Sequence, residues 1–596
     1  MRTASRAFCG VALASLLALP AAGQPPQATL PDTTPGRLMA EWLAMCGKPD
    51  LQQMTAWQQE HLREQWLKRP GANVLAENNV SECRANGGFR VTEIIESTPQ
   101  RLIVKAMGPA LDTWYRMFIA VDEGGKAGPL QTSPAPPPES SLPKDLSDPA
   151  LAREVAATVD RLHAAGLFSG IAMIARGTEP FVTHAAGYAD RGKKTPITPS
   201  TQFTIGSMGK MFTAAAIGQL VDQGKVSFDD TVGKFFPNFA NETVRNKVTV
   251  AMLLTHTSGM GDFLGGRTPE MMKKGVARAD EFVPLFEKDA PAFEPGARSS
   301  YSNAGLALLG AIVERASGED YPAYIRKHVF EPAGMTNSDP NNRPLRGDRM
   351  VTPYTRRGQA GPAAGWQEAQ RDIGSPAGGA VSTAEDLLRF GEALRGGKLV
   401  SRATFEKMAH PHVENPAGGY GYAMNVVDVY GRTVVGHGGG FPGVSTELYI
   451  VLDSPYVAVV LANQDPPAAE MVGEKARAML AKMAVPPAAP DIAGAWEGEA
   501  QVKAGDQSNA VHLYAEFKRD GTKLSGTVGP SPSMQMPLTA VALAGRTLTF
   551  TAAMPLRTLS FQLTVVSPDR MEGTLTSEGE GAAGPVTFKR VGGKPN

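Results

Sequence analysis

The sequence predicts a multidomain protein: a small N-terminal α+β module, a central α/β domain carrying a helical subdomain, and a C-terminal all-β sandwich or barrel. Three observations predict it. At 596 residues the chain far exceeds the ~250–300 at which single cores tend to split. Proline clusters interrupt it around residues 134–149 and 486–490. Between them, strand-like segments flank a helix-rich middle, and a run of short alternating strands closes the chain.

Composition narrows the function classes. Apolar residues make up 42% and charged residues 20%, as in ordinary soluble domains. Lys+Arg and Asp+Glu are both 59, so no basic excess points to a nucleic-acid partner, and none is expected.

Residues 1–23 read as an export signal: Arg2 and Arg6 precede an apolar stretch over 7–19, and Ala21-Ala22-Gly23 suits a signal peptidase. The other reading is a buried helix or membrane anchor, but the run is short for a span of ~20 apolar residues. Cys9 lies inside it without a lipobox-like context, and no later run is long enough to cross a membrane. A periplasmic or secreted protein is therefore expected. Only Cys46 and Cys83 remain after cleavage; they either pair as a disulfide in an oxidising compartment or stay reduced and unrelated.

The N-terminal module is expected over 35–130. Leu38, Leu43, Met45, Leu51, Met54, Trp57, Leu62, Trp66 and Leu67 recur at near-helical spacing up to a Pro70-Gly71 stop, and strands follow at 88–95, 101–107 and 114–121. Residues 131–147 form a proline-rich linker. The central domain spans 148–485. It opens with a helix near Asp148 and strands at 171–175 and 181–185, and returns to strands at 420–426, 433–436, 446–452 and 456–462 before a helix over 468–483. One sheet assembled from distant segments, with a helical insertion beside it, follows from that order, and a cleft between the two is a natural site. Residues 490–596 alternate short strands with turns.

Ser207-Met208-Gly209-Lys210 is an S-x-x-K arrangement. Serine is a poor nucleophile until a neighbour removes its proton, and a helix sets residues i and i+3 on one face. Apolar residues from Met208 to Val221 predict a helix that starts at the serine and stops near Gly224, with the serine at the positive end of the helix dipole. A second copy, Ser141-Leu142-Pro143-Lys144, lies in the linker with no helix to hold it, and shows how readily the motif arises. The plainer reading of Ser207 is a helix cap beside a solvated lysine.

Tyr301-Ser302-Asn303 precedes an apolar helical run. A phenol titrating near ~10 must lose or share its proton to act as a base near neutrality, and a Lys210 ammonium nearby is expected to lower it. Asn303 can both donate and accept, which suits it to orient the lysine and a substrate amide. His437-Gly438-Gly439-Gly440 follows a strand; its glycines let a substrate backbone approach, and the amides of Gly440 and Ser207 are the expected oxyanion hole. The plainer readings are a packed tyrosine beside a capping residue and a glycine-rich turn. Their joint occurrence in this order favours the catalytic one.

These three motifs, with Leu253-Leu254-Thr255-His256-Thr257-Ser258-Gly259, Phe293-Glu294-Pro295-Gly296 and Gly378-Gly379-Ala380-Val381-Ser382-Thr383, resemble the serine β-lactamase and penicillin-binding-protein superfamily, in its class C-like branch with family VIII carboxylesterases and D-amino-acid peptidases. The resemblance covers roughly residues 150–485. It implies a mostly antiparallel sheet beside an all-helical subdomain, and an acyl-enzyme mechanism. In that mechanism Ser207 attacks an ester or amide carbonyl, Lys210 and Tyr301 handle the proton, and Asn303, His437 and Gly439 orient the substrate, without metal or organic cofactor. The third motif more familiar in β-lactamases carries lysine. His437, only partly charged near neutrality, weakens the case for efficient β-lactam hydrolysis and favours small ester, amide or peptide substrates. The alternatives are a β-lactamase or D-Ala-D-Ala carboxypeptidase and, from another class, a non-catalytic sensor or scaffold on this fold.

His256 and Ser258 are expected to brace local structure rather than react. His410-Pro411-His412 makes half a metal site with no acidic or cysteine partner nearby in the chain, and no G-x-S-x-G elbow is present.

Overall fold

The computed structural model describes residues 27–263, 278–341, 349–356, 365–369, 374–415, 418–483, 491–504, 507–520, 523–544, 547–554, 557–567, 569–577 and 584–591. The expected export signal and the proline boundary at 486–490 lie outside them. Two compact units divide the chain, the first holding the N-terminal module with the central domain and the second the C-terminal barrel.

In the N-terminal module, helices Thr34–Gly47, Leu51–His61 and Ala72–Asn86 accompany a four-stranded antiparallel sheet. Its strands run in the order Arg90–Ser97, Arg101–Gly108, Thr113–Ala120, Gln131–Pro134. The apolar spacing read as one long helix is split, because Asp50 accepts the Gln53 amide (2.9 Å) and restarts the helix there. Pro70-Gly71 ends the helical run as expected: Gly71, at φ +102°, leaves helical backbone and a new helix starts at Ala72. Pro70 itself sits in a wide turn, Leu67–Gly71, where its missing donor costs little. The start of the expected linker is also structured, since Gln131–Pro134 adds a strand beside Thr113–Ala120. Cys46 and Cys83 are bonded, with Cα atoms 5.1 Å apart, tying the first helix to the third.

The central domain opens with helix Asp148–Ala164, capped by Ser147. As expected, strands from both ends of the domain meet in one eight-stranded sheet. Its order is Val413–Asn415, Gly418–Tyr420, Asn425–Val429, Arg432–Phe441, Val444–Val451, Tyr456–Ala462, Gly170–Arg176, Glu179–Ala186. The interior strands Val444–Val451 and Tyr456–Ala462 are buried at every position, so their side chains are enclosed on both faces. The helical part is built around Lys210–Asp222 and Asn303–Ser317, both almost wholly buried, with Phe212 meeting the edges of Phe330 and Phe390 at 5.0 and 4.7 Å. Asp112 of the N-terminal module accepts Lys475 of the last helix, Ala468–Lys482, at 2.7 Å.

The second unit is a closed barrel of eight sequential antiparallel strands, from Gly494–Ala504 to Gly584–Arg590, sealed where Trp496–Ala500 pairs with Val586–Arg590. Of the two architectures the sequence allowed, closure is the one found. It removes the exposed edges that an open sheet would leave and buries Trp496, Phe517, Phe550, Phe561 and Phe588.

Candidate active site

The three motifs meet in one cleft of about 530 Å³ whose walls include Ser207, Tyr301, His437 and Gly438–Gly440. Gly206, at φ +56°, turns the chain so that Ser207 enters a short 3-10 turn, Gly206–Gly209, at the head of helix Lys210–Asp222. One turn on, the fully buried Lys210 points back: its Nζ donates to Ser207 Oγ (3.0 Å), to Asn303 Oδ1 (2.8 Å) and to the Ala377 carbonyl. Three N–H donors thus meet three oxygens. Tyr301 Oη donates to the same Ser207 Oγ at 2.7 Å, and Lys210 Nζ lies 4.7 Å from the tyrosine ring centre. Asn303 is held in turn, its Nδ2 donating to Asp262 (3.1 Å), while Ser302 caps helix Asn303–Ser317 through the Gly305 amide (2.9 Å).

The phenol of Tyr301 does not titrate low, as the sequence led one to expect. Crowding of the hydroxyl pushes it up to about 12, offset in part by the bond to Ser207 and reinforced by the Asp262 charge. The residue itself remains 49% exposed toward the cleft. At neutral pH it is a neutral phenol.

Strand Arg432–Phe441 carries the third motif. A Cβ on Gly206 would stand 3.2 Å from the Gly440 nitrogen, so that amide lies beside the nucleophile turn as an oxyanion hole with Ser207 requires. Thr446 Oγ1 pins the same turn by donating to the Ile205 carbonyl (2.8 Å).

His437 differs from its expected role. Its Nδ1 meets the Gly438 carbonyl (2.5 Å) and its Nε2 the Tyr420 hydroxyl (3.1 Å), so both ring nitrogens have protein partners. The hydroxyl also meets His256 Nε2 (3.1 Å), and His256 Nδ1 accepts the Ser302 amide (3.1 Å). A backbone N–H can only donate and a carbonyl can only accept, so the direction is set from both ends. Ser302 N–H donates to His256, His256 Nε2–H to Tyr420, Tyr420 to His437 Nε2, and His437 Nδ1–H to Gly438. Both imidazoles are neutral in this chain. Burial drives His256 down to about 3 and His437 to about 4, and the Lys210 charge acts in the same direction on each.

His256 therefore braces the site, as expected, but does so inside the cleft, with its ring 4.5 Å from that of Tyr301. Ser258 is buried and accepts the Met260 amide (3.2 Å). Ser141 is exposed and donates to the Pro138 carbonyl, away from the cleft. His412 meets the Lys407 carbonyl (2.9 Å) and stacks on Tyr422, and among the described residues no three His, Cys, Asp or Glu side chains group as metal ligands. Sequence reasoning missed Asp262, Tyr420 and the Ala377 carbonyl, which no motif announces.

The beta-lactamase family model matches residues 152–482. Penicillin-binding protein 4* of Bacillus subtilis (strain 168) is 30% identical over 314 residues, 50% of this chain and 68% of that protein. Esterase EstB of Burkholderia gladioli is 29% identical over 329 residues, 48% of this chain and 82% of that one. Among solved structures, a penicillin binding protein from Bacillus halodurans is 31% identical over 53% of this chain and 97% of its own, with a TM-score of 0.46. With more than half of the sequence inside the family match, and the three motifs within it, the chain belongs to the beta-lactamase family.

Proposed function

We propose that this serine hydrolase cleaves small esters or amides through an acyl-enzyme on Ser207, with a neutral ester preferred to a β-lactam. The observation that carries the reading is the convergence of Tyr301 Oη (2.7 Å) and Lys210 Nζ (3.0 Å) on one serine oxygen. Ser207 attacks the carbonyl in the state in which the Tyr301–Lys210 pair has already released one proton, phenolate beside ammonium. The phenolate takes the serine proton, and the ammonium stabilises the phenolate until it does. Tyr301 then delivers a proton to the leaving group and helps draw one from the deacylating water. The Ser207 and Gly440 amides receive the oxyanion. His437, neutral and bonded on both nitrogens, positions the Gly438–Gly440 strand and offers no cation to a substrate carboxylate, which argues against β-lactams and carboxylate-ended peptides.

Export to an oxidising compartment is part of this reading. The N-terminal signal pattern and the bonded Cys46–Cys83 pair support it.

Labelling with a fluorophosphonate, followed by a panel of a short-chain p-nitrophenyl ester, a D-amino-acid amide and nitrocefin, tests the proposal. Ser207→Ala should abolish labelling, and the ester should be turned over fastest. Labelling that persists at another residue would reject the nucleophile. A burst without steady turnover would favour a sensor, and preference for nitrocefin would overturn the ranking.

A further inference from the structure

The active cleft does not end at the glycine strand. A second cavity, of about 470 Å³, lies between the N-terminal module, through Arg116 and residues 133–136, and the central domain, and it shares Asn425, Glu447 and Glu470 with the cleft that holds Ser207. Four carboxyl groups and two guanidinium groups line it. One of those cations, Arg477, is gripped by both carboxylate oxygens of Glu474. Glu447 and Glu470 are hydrogen-bonded to each other and share the Arg477 charge with Glu474, with no salt bridge of their own among the described residues. Glu447 is only 8% exposed, and its carboxylate rests where a side chain on Gly438 would be, 2.4 Å from the position of a Cβ there. On the same wall the Tyr449 hydroxyl, on a residue 4% exposed, is buried facing the Glu447 carboxyl, outside good hydrogen-bond geometry.

We propose that Glu447, Glu470 and Tyr449 form a subsite for a substrate ammonium group, so that the preferred substrates are esters or amides carrying a primary amine. This rests on the serine-hydrolase reading and deepens it. An ammonium brings three N–H donors; Glu447 and Glu470 line the cleft that holds Ser207, and Tyr449 lines the cavity that shares them. Buried carboxylates that outnumber their cations are costly, and Glu447, Glu470 and Glu474 share one guanidinium, Arg477. Burial and the Glu470 charge lift Glu447, while burial and the Glu474 charge lift Glu470, with Arg477 opposing in both cases. A substrate cation would stabilise the ionised pair by a charge-assisted bond in a desolvated setting, where such bonds are strong. The arrangement also gives the N-terminal module a role, as the far wall of the subsite.

The test compares the p-nitrophenyl esters of 6-aminohexanoic and hexanoic acids, which differ only in the terminal ammonium, on the full-length protein. The wild type should favour the amino ester in kcat/KM by about 10-fold or more. In Glu447→Gln/Glu470→Gln the ratio of the two esters should fall to near one; reading the ratio cancels any general loss of activity. A second arm needs no variant: n-butylammonium should compete with the hexanoate ester in the wild type at concentrations where n-butanol does not. A wild-type ratio of one or less, a ratio unchanged in the variant, or equal effects of amine and alcohol would overturn the subsite. Absence of hexanoate hydrolysis together with loss of Ser207 labelling would instead strike the hydrolase reading itself.

Discussion

Gly439 faces the Ile205 carbonyl so closely that a Cβ built on it would stand 2.0 Å from the oxygen. The strand carrying the third motif is thereby pressed against the backbone just ahead of the nucleophile, and only a glycine permits the approach. Through this contact the Gly440 amide, 235 residues further along the chain than Ile205, comes to lie at the nucleophile turn.

Gly439→Ala should therefore push the strand away from the serine. A displacement of this kind is expected to lower kcat/KM on a short-chain ester by about 100-fold, with folding weakened by about 1–3 kcal/mol. Gly47→Ala, where nothing lies within 4 Å of the added carbon, is the comparison and should change neither. Equal behaviour of the two variants in ester assays and thermal melts would contradict the packing argument.

Tyr301→Phe keeps the ring and removes the hydroxyl that reaches Ser207. If the phenol carries the proton, kcat should fall by about 10²–10⁴ with KM little altered, and fluorophosphonate labelling should slow in parallel. A variant that labels and turns over at the wild-type rate would leave Lys210 as the sole proton carrier.

The neutral histidine chain predicts acid sensitivity. Unfolded, both imidazoles titrate near 6.5; folded, His437 stays neutral to about 4 and His256 to about 3. Across that window the unfolded chain binds more protons, so stability is full above 6.5 and is lost as pH falls toward and through 4. His437 alone accounts for about 3 kcal/mol of this loss. Near-ultraviolet circular dichroism melts between pH 4 and 7 should show a falling Tm. The fall should be shallower in His256→Asn, since asparagine tolerates the φ of +60° at that position. A Tm that does not change with pH would mean the rings titrate in the folded protein as they do in the unfolded chain.

Reduction should act on the N-terminal module. The Cys46–Cys83 bond spans 37 residues, for which the chain-entropy account gives roughly 4 kcal/mol. Cys46→Ala/Cys83→Ala should make residues around the two helices accessible to limited proteolysis at lower temperature. Identical cleavage profiles for variant and wild type would show that helix packing alone holds the module.

What was legible in the sequence is what is local. Ser207 and Lys210 are one helical turn apart, so the identity of the pair follows from spacing. Ser302 announces itself as a cap directly ahead of an apolar helix, and the interior strand Tyr456–Ala462 is readable because burial on both faces is met by an unbroken apolar run. Val444–Val451 is just as buried yet carries Ser445, Thr446 and Glu447. Local rules also misled: Gln131–Pro134 looked like linker although a neighbouring strand offered it partners.

By itself the sequence determined the fold class, the one-turn spacing that joins Ser207 to Lys210, and the order in which the three motifs occur, because each depends on periodicity or on contacts within a turn or two. The tertiary structure alone decided the rest: that Asp262 holds Asn303, that Tyr420 joins two histidines into one directed neutral chain, that the Tyr301 phenol is raised rather than lowered, and that Glu447 and Glu470 face each other where the cleft meets the N-terminal module. Charge state and hydrogen-bond direction depend on burial and on through-space neighbours from distant segments, and neither is written in the residues next door.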